Sequence, residues 1–261
     1  MDINIVIVLI LSGLLVGFIN TLAGGGTIIS ITVFMTLGLP PLVANGTNRI
    51  AIFLQTLTAV VNYQRNKILD IRKSLKFALP VALGSIIGSN LAIAINETIF
   101  NYFLVGILLF MTALIIFKPK LWLTENTEKI LRPMNFLEWI LLFIIGIYGG
   151  FIHVGIGYFL IAALVLMSGY NLLNANAIKN LIVFLYIPVS LIPFMLKGEV
   201  RYDYGLIHAI GNIIGAFLAS QWASKFGSKF IRYILILLLL ISCFQIFRIF
   251  KITDFLLSFL N

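Results

Sequence analysis

The sequence predicts an all-α polytopic membrane protein made of two homologous halves, and three observations carry that prediction. Of the 261 residues, 61% are apolar and only 10% are charged, whereas soluble domains carry about a quarter charged residues. The stretches 3–48, 77–96, 98–117, 139–178 and 204–224 contain no Asp, Glu, Lys or Arg. Each is at least as long as the roughly 20 residues a helix needs to cross a bilayer. Glycine and asparagine motifs also recur at a constant spacing along the chain. So few charges cannot coat a water-soluble surface, which excludes a soluble enzyme and a disordered regulator.

The repeat is legible residue by residue. Gly24-Gly25-Gly26 lies on Gly155-Ile156-Gly157 at an offset of 131, which also carries Gly38 to Gly169, Ala44-Asn45 to Ala175-Asn176 and Phe53 to Phe184. After a short deletion, Gly84-Ser-Ile-Ile-Gly88 matches Gly211-Asn-Ile-Ile-Gly215. The expected organisation is a first transmembrane repeat over 1–118, a polar cytoplasmic linker over 119–135, and a second repeat over 136–261.

Five apolar segments are expected in each half: 3–22, 27–38, 43–64, 75–95 and 98–117, then 137–153, 157–168, 172–196, 203–223 and 230–250. Glycine clusters, Leu39-Pro40-Pro41 and the basic stretch from Arg65 to Lys76 supply the breaks. The second segment of each half reaches only about 18 Å as a helix, short of a hydrocarbon core of about 30 Å. Short or broken helices at matching places in two halves are the sequence pointer to a transporter site. Basic residues set the orientation: the loop with Arg65, Lys67, Arg72, Lys73 and Lys76, the linker, and the turn with Lys225, Lys229 and Arg232 belong in the cytoplasm. The turn Asn96-Glu97 belongs outside. The equivalent turns thus lie on opposite sides, which predicts inverted repeats; parallel four-helix repeats are the rival. Arg248 and Lys251, placed outside by this scheme, run against it. The first twenty residues lack the basic start of a cleaved signal peptide.

Two constellations are candidate binding elements. Irregular backbone at membrane depth is tolerated only where it is buried or lines a cavity. Asn20-Thr-Leu-Ala-Gly24-Gly25-Gly26-Thr27 would bring backbone close to a ligand, with no Cβ in the way and the N–H groups of a following helix turned toward an anion. Thr27 adds a hydroxyl. Gly155-Ile156-Gly157-Tyr158, preceded by His153, repeats the device. The second constellation is Asn45-Gly46-Thr47-Asn48-Arg49, matched by Asn176-Ala177-Ile178-Lys179-Asn180. A cation in apolar sequence is costly and points to function: Arg49 and Lys179 would neutralise an anion while Asn45, Asn48, Asn176 and Asn180 donate hydrogen bonds. The structural alternatives are close helix crossing at the glycines and snorkelling of the cations to lipid phosphate.

Other chemistry is thinly represented. His153 offers a ligand or proton-relay group, and His208 reads as structural. No carboxylate lies deep in a segment, so any coupling to protons would run through other groups. With one cysteine, Cys243, there is no disulfide or CxxC motif. No metal, cofactor or catalytic constellation is expected, and the +9 charge lacks the aromatic-interleaved stripe of a nucleic-acid surface. A transporter is therefore weighed against an anion channel and a non-transporting membrane subunit of a larger complex.

The ordered motifs Gly17-Phe-Ile-Asn20-Thr-Leu-Ala-Gly24-Gly25-Gly26, Leu37-Gly38-Leu39-Pro40 and Ala44-Asn-Gly46-Thr47 resemble the TauE/SafE sulfite exporter family, also described as domain of unknown function 81. A weaker second copy runs from Gly149-Gly150 through Gly155-Ile156-Gly157 to Ala175-Asn176, with Ile156 interrupting the glycine triplet. The resemblance spans almost the whole chain. It implies a secondary transporter, an exporter of small sulfur-containing anions such as sulfite, thiosulfate or organosulfonates, in the plasma (inner) membrane, and it leaves the oligomeric state open.

Overall fold

The computed structural model describes residues 1–92 and 122–246, the last eight of these by their backbone alone. It is all-α, with no strand among the described residues. Helices α1 (Ile3–Leu22), α2 (Thr27–Thr36), α3 (Pro41–Arg65) and α4 (Ile71–Leu91) come from the first half. A short linker helix α5 (Thr127–Leu131) precedes α6 (Phe136–Phe151), α7 (Ile156–Ala162), α8 (Leu172–Leu196) and α9 (Tyr202–Ile246). The expected segments 3–22 and 172–196 match their helices end to end. Segment 98–117, Arg248 and Lys251 lie outside the described residues.

Local chemistry explains most boundaries. Asp70 begins α4 four residues before the apolar run, because its carboxylate accepts the Lys73 N–H; that contact holds the acid below the usual carboxylate range. Asn135 and Glu138 form a reciprocal capping box that starts α6. Helix α7 runs on into one π-helical turn, Ala163–Met167. The loop expected over 224–229 is helical on both sides, and the chain bends only at Gly227, whose φ of 70° and ψ of −163° are open to glycine.

Among the described residues, four helices are long and apolar enough to cross a membrane: α1, α4, α8 and the portion Tyr202–Leu238 of α9. Helix α3 has 25 residues, about 37 Å, yet is more polar, because Asn45, Asn48, Arg49, Gln55, Thr56 and Asn62 occupy its buried face. Large apolar side chains such as Leu11, Leu15, Leu79, Leu83, Ile210 and Phe217 point outward, as a lipid-facing surface requires.

The halves interlock. Helix α1 packs along α9 and α4 packs along α6, each pair running parallel. Both seams use glycines spaced four apart: Gly13 and Gly17 against Gly211 and Gly215, Gly84 and Gly88 against Gly146 and Gly150. A Cβ on any of these eight would fall 1.8–2.3 Å from a carbonyl oxygen of the partner helix, so only glycine permits this approach. Helices α3 and α8 run antiparallel through the centre, joined by Arg49–Ser190 near one end, Phe53–Phe184 stacking in the middle, and Tyr63–Asn176 near the other.

This arrangement gives the molecule two unlike ends. The linker meets the α7–α8 turn, where Gly169 accepts the Asn126 N–H at 2.8 Å, and Ser228 accepts the Leu173 N–H at 3.2 Å. Asn66 reaches Ser224 at 3.3 Å on the same end. The basic loops therefore gather together, while Pro41, Glu199 and Arg201 mark the opposite end, where Thr47 accepts the Arg201 N–H at 2.9 Å. Helix α1 starts at that second end and α2 returns to it; α6 starts at the linker end and α7 returns there. Each half thus contributes a hairpin whose tip lies inside the bundle. Single cysteines at Lys67 and Lys129 should react with a membrane-impermeant thiol reagent from the cytoplasmic side, and one at Lys197 only from the opposite side. Labelling of all three from one side would refute the arrangement.

Candidate functional site

The two hairpin tips meet in the centre. Gly24, at φ +86°, lies so close to Gly157 that a Cβ on it would sit 2.4 Å from the Gly157 Cα. Asn20 secures the first tip: its Oδ1 accepts the Gly26 N–H at 2.7 Å, and its Nδ2 lies 3.4 Å from Thr27 Oγ1. Gly25 leaves room for the ring of Tyr158, whose hydroxyl would otherwise collide with a Cβ at 2.1 Å. At the second tip Gly155 takes φ 71° and His153 takes φ 60°, and the His153 Nδ1 pairs with the Tyr186 hydroxyl.

Two buried cations close the ends of the helices that lead into these tips. Lys179 Nζ donates to the carbonyl oxygens of Asn20 at 2.8 Å and Thr21 at 2.9 Å, the last turn of α1. Arg49 donates to the Gly150 carbonyl at 2.6 Å in the last turn of α6, to Ser190 Oγ at 2.6 Å, and its guanidinium lies 4.7 Å from the Phe194 ring centre. Each half therefore sends a cation to the C-terminal end of the other half's first helix, where free carbonyls and the negative dipole end favour positive charge. Asparagines act alongside: Asn180 Nδ2 reaches the Thr21 carbonyl at 3.1 Å and Asn45 Nδ2 the Phe151 carbonyl at 3.0 Å. Snorkelling to lipid is not what these side chains do, since Arg49 and Lys179 are 0% and 1% exposed.

Six of the residues singled out from sequence come together on one small cavity: Asn20, Gly24, His153, Gly157, Lys179 and Asn180. Its volume is about 10 Å³, on the order of the space that one water needs. The remainder of the wall includes Ile52, Gln55, Thr56, Ile156 and Val183. Other candidates stand apart from it. Arg49 and Asn45 hold the end of α6, Thr47 holds the start of α9, Asn176 donates to the Tyr63 hydroxyl at 2.9 Å, and Gly25, Gly26, Thr27, Gly155 and Tyr158 shape the tips. Asn48 is fully buried with neither amide atom paired among the described residues.

Gln55 and Thr56 are wall residues that the motif reading passed over. Their signal lay in the helical repeat: they follow Asn48 and Arg49 by seven positions, two turns along the same face of an apolar helix. His208 is structural as expected. Its Nδ1 faces the Leu9 carbonyl at 2.9 Å, an acceptor, so the proton sits there and Nε2 accepts from Ser30 Oγ at 2.9 Å. That arrangement ties α9 to α1 and α2.

Neither Arg49 nor Lys179 has a carboxylate partner among the described residues; the buried acid Glu138 is taken by Arg132 at 2.9 Å. No group of histidines, cysteines and acids there could hold a metal.

Comparison with known proteins places this geometry in context. The family model described as sulfite exporter TauE/SafE matches residues 9–246. A "probable membrane transporter protein" of Haemophilus influenzae is 30% identical over 241 residues, covering 91% of this chain and 93% of that protein. The probable membrane transporter protein YfcA of Escherichia coli is 26% identical over 88% of this chain and 85% of its own length. YunE of Bacillus subtilis, of the same description, is 25% identical over 88% and 94%. No solved structure matches.

The tip contact generates a test of its own. Gly38 also has a positive φ, +91°, but nothing lies within 4 Å of a Cβ there. Gly38→Ala should cost about 1–2 kcal/mol of backbone strain. Gly24→Ala should cost several-fold more, because backbone of Gly157 blocks the new atom. Thermal unfolding in detergent compares the two, and equal losses would show that the tips do not touch.

Proposed function

The chain belongs to the sulfite exporter TauE/SafE family, and on that footing we propose that it is a secondary transporter, an exporter of small sulfur-containing anions such as sulfite, thiosulfate or organosulfonates. It works as a multi-pass protein of the plasma (inner) membrane. The observation that carries the reading is Lys179, a buried cation without a carboxylate partner, on the wall of a cavity where the broken helices of both halves meet. Each helix C-terminus supplies roughly half a negative charge. Arg49 and Lys179 together thus retain roughly one uncompensated positive charge, which suits one monoanion. Two of the three Lys179 protons are spent on carbonyls, and the third remains for a ligand oxygen.

The mechanism follows from size. A sulfur oxyanion is larger than the single water for which the cavity has room, so this conformation does not admit it at the centre. Entry and exit require the tips to part, alternately toward each side, and a channel with a standing pore does not fit such a closed centre. Repeats over 1–118 and 136–261, inverted and joined by a cytoplasmic linker at 119–135, would supply the two rocking elements. The opposite directions of α1 and α6, and the antiparallel α3 and α8, support that inversion. Glycine seams that admit no side chain fit rigid bodies, and the tips, joined by few side chains, are where motion costs least.

Purified protein in liposomes should carry sulfite or a related oxyanion in counterflow, and an imposed pH gradient should reveal whether protons drive it. Lys179→Ala should abolish flux while the protein still elutes as a monodisperse species, with a loss of about 1–3 kcal/mol in stability from the carbonyls left without a donor. Unchanged transport by that variant would remove Lys179 from the site. No flux from the purified chain would favour a subunit role instead.

A further inference from the structure

The fixed charge at the centre suits one class of sulfur anion and not the other. Arg49 and Lys179, set against two helix C-termini of roughly half a negative charge each, leave about one positive charge. A monoanion balances it. A dianion, which thiosulfate is at neutral pH, leaves about one negative charge over, and buried charge is costly unless paired. A further positive charge must then come from the wall.

His153 is the wall residue that can supply it. It lines the cavity together with Lys179 and is 3% exposed. Its φ of 60° lies in the left-handed region, which among the described residues only one other non-glycine residue enters, Lys67 on an exposed loop. A side chain is strained there where glycine is not, and backbone strain of this kind gathers at functional sites. The ring Nδ1 pairs with the Tyr186 hydroxyl. A hydroxyl both donates and accepts, so Tyr186 keeps this contact with the neutral ring and with the imidazolium.

The titratable groups around the ring are Arg49 from α3, Lys179 and Tyr186 from α8, and Tyr148 from α6, whose hydroxyl donates to the neighbouring Val154 carbonyl. The first tip adds only Asn20 and Gly24 to the wall, both uncharged. No carboxylate belongs to this set. Two cations favour the neutral ring while the cavity is empty. An anion beside the ring favours the imidazolium, and a dianion does so twice as strongly.

We propose that His153 takes up a proton when the anion in the cavity is doubly charged and stays neutral beside a singly charged one. The proposal rests on the anion-transporter reading and names how one site serves both classes. The proton comes from the solution to which the cavity is open and crosses with the dianion, so thiosulfate travels with a proton and a sulfonate travels alone.

Thiosulfate and methanesulfonate give a matched test. Each is a tetrahedral sulfur with three oxygens, one bearing S⁻ where the other bears CH3. Neither titrates across the range, about pH 6 to 8, in which an imidazole does, so any pH dependence belongs to the protein. With the full chain in detergent and weak buffer, an indicator dye should show uptake of about one proton per thiosulfate bound, and none with methanesulfonate. The thiosulfate dissociation constant should rise about tenfold per pH unit on the alkaline side, while that of methanesulfonate stays level. His153→Asn, chosen because asparagine tolerates the left-handed region, should remove the uptake and the slope. The two wild-type arms decide by themselves where that variant does not fold. Thiosulfate bound without a proton, equal uptake with both anions, or uptake that persists in His153→Asn overturns the proposal and leaves the transporter reading standing. Binding of neither anion also overturns it, and if the reconstituted chain carries no oxyanion the transporter reading falls with it.

Discussion

A helix that stops inside a bilayer must have its last carbonyls satisfied from within the protein, and that requirement organises this molecule. Helices α1 and α6 both end in the interior, and each end is met by a cation and an amide from the opposite half. Lys179 and Asn180 serve α1; Arg49 and Asn45 serve α6. Lipid offers no donors, so without these side chains neither hairpin tip could stay at depth. The polar stripe of α3, the buried amides of α8 and the central cavity all follow from the same need.

The two ends are not equivalent. Arg49 is enclosed by the Gly150 carbonyl, Ser190 and the Phe194 ring, and it does not line the cavity. Lys179 lines it. An arginine keeps its charge at any accessible pH and forks onto several acceptors, which suits a permanent clamp. A lysine is a single movable point charge with three donors, two of which here hold the end of α1. The cation that holds the end of α6 is thus enclosed, while the one that holds the end of α1 faces the cavity.

Much of this was legible before folding. The apolar segments expected at 3–22 and 172–196 coincide with α1 and α8 to the residue, because the length and polarity of a membrane helix are imposed by the bilayer. The glycine clusters marked the tips, and the two cations stood out because charge is rare in such sequence. What each polar group pairs with was not legible. Thr47, next to Asn48, proves to hold the Arg201 amide at the far end of the molecule, and Asn176 proves to hold Tyr63. Sequence neighbours in a helix point in different directions, 100° apart per residue at roughly 3.6 residues per turn, so a motif scatters its members over separate partners. Gln55 and Thr56 show the converse: residues outside the motif but two turns along share its face.

The sequence by itself determined the environment, the helical class and the presence of buried positive charge. These follow from composition and period, since a chain of this polarity has no soluble alternative and every backbone group must be bonded within a helix. Only the tertiary structure decided which cation faces the cavity and which clamps a helix. It also decided that the halves interlock along glycine seams, and that Lys179 lines the small central cavity. Those outcomes depend on contacts between residues far apart in sequence, and no local pattern encodes which of several buried polar groups will meet.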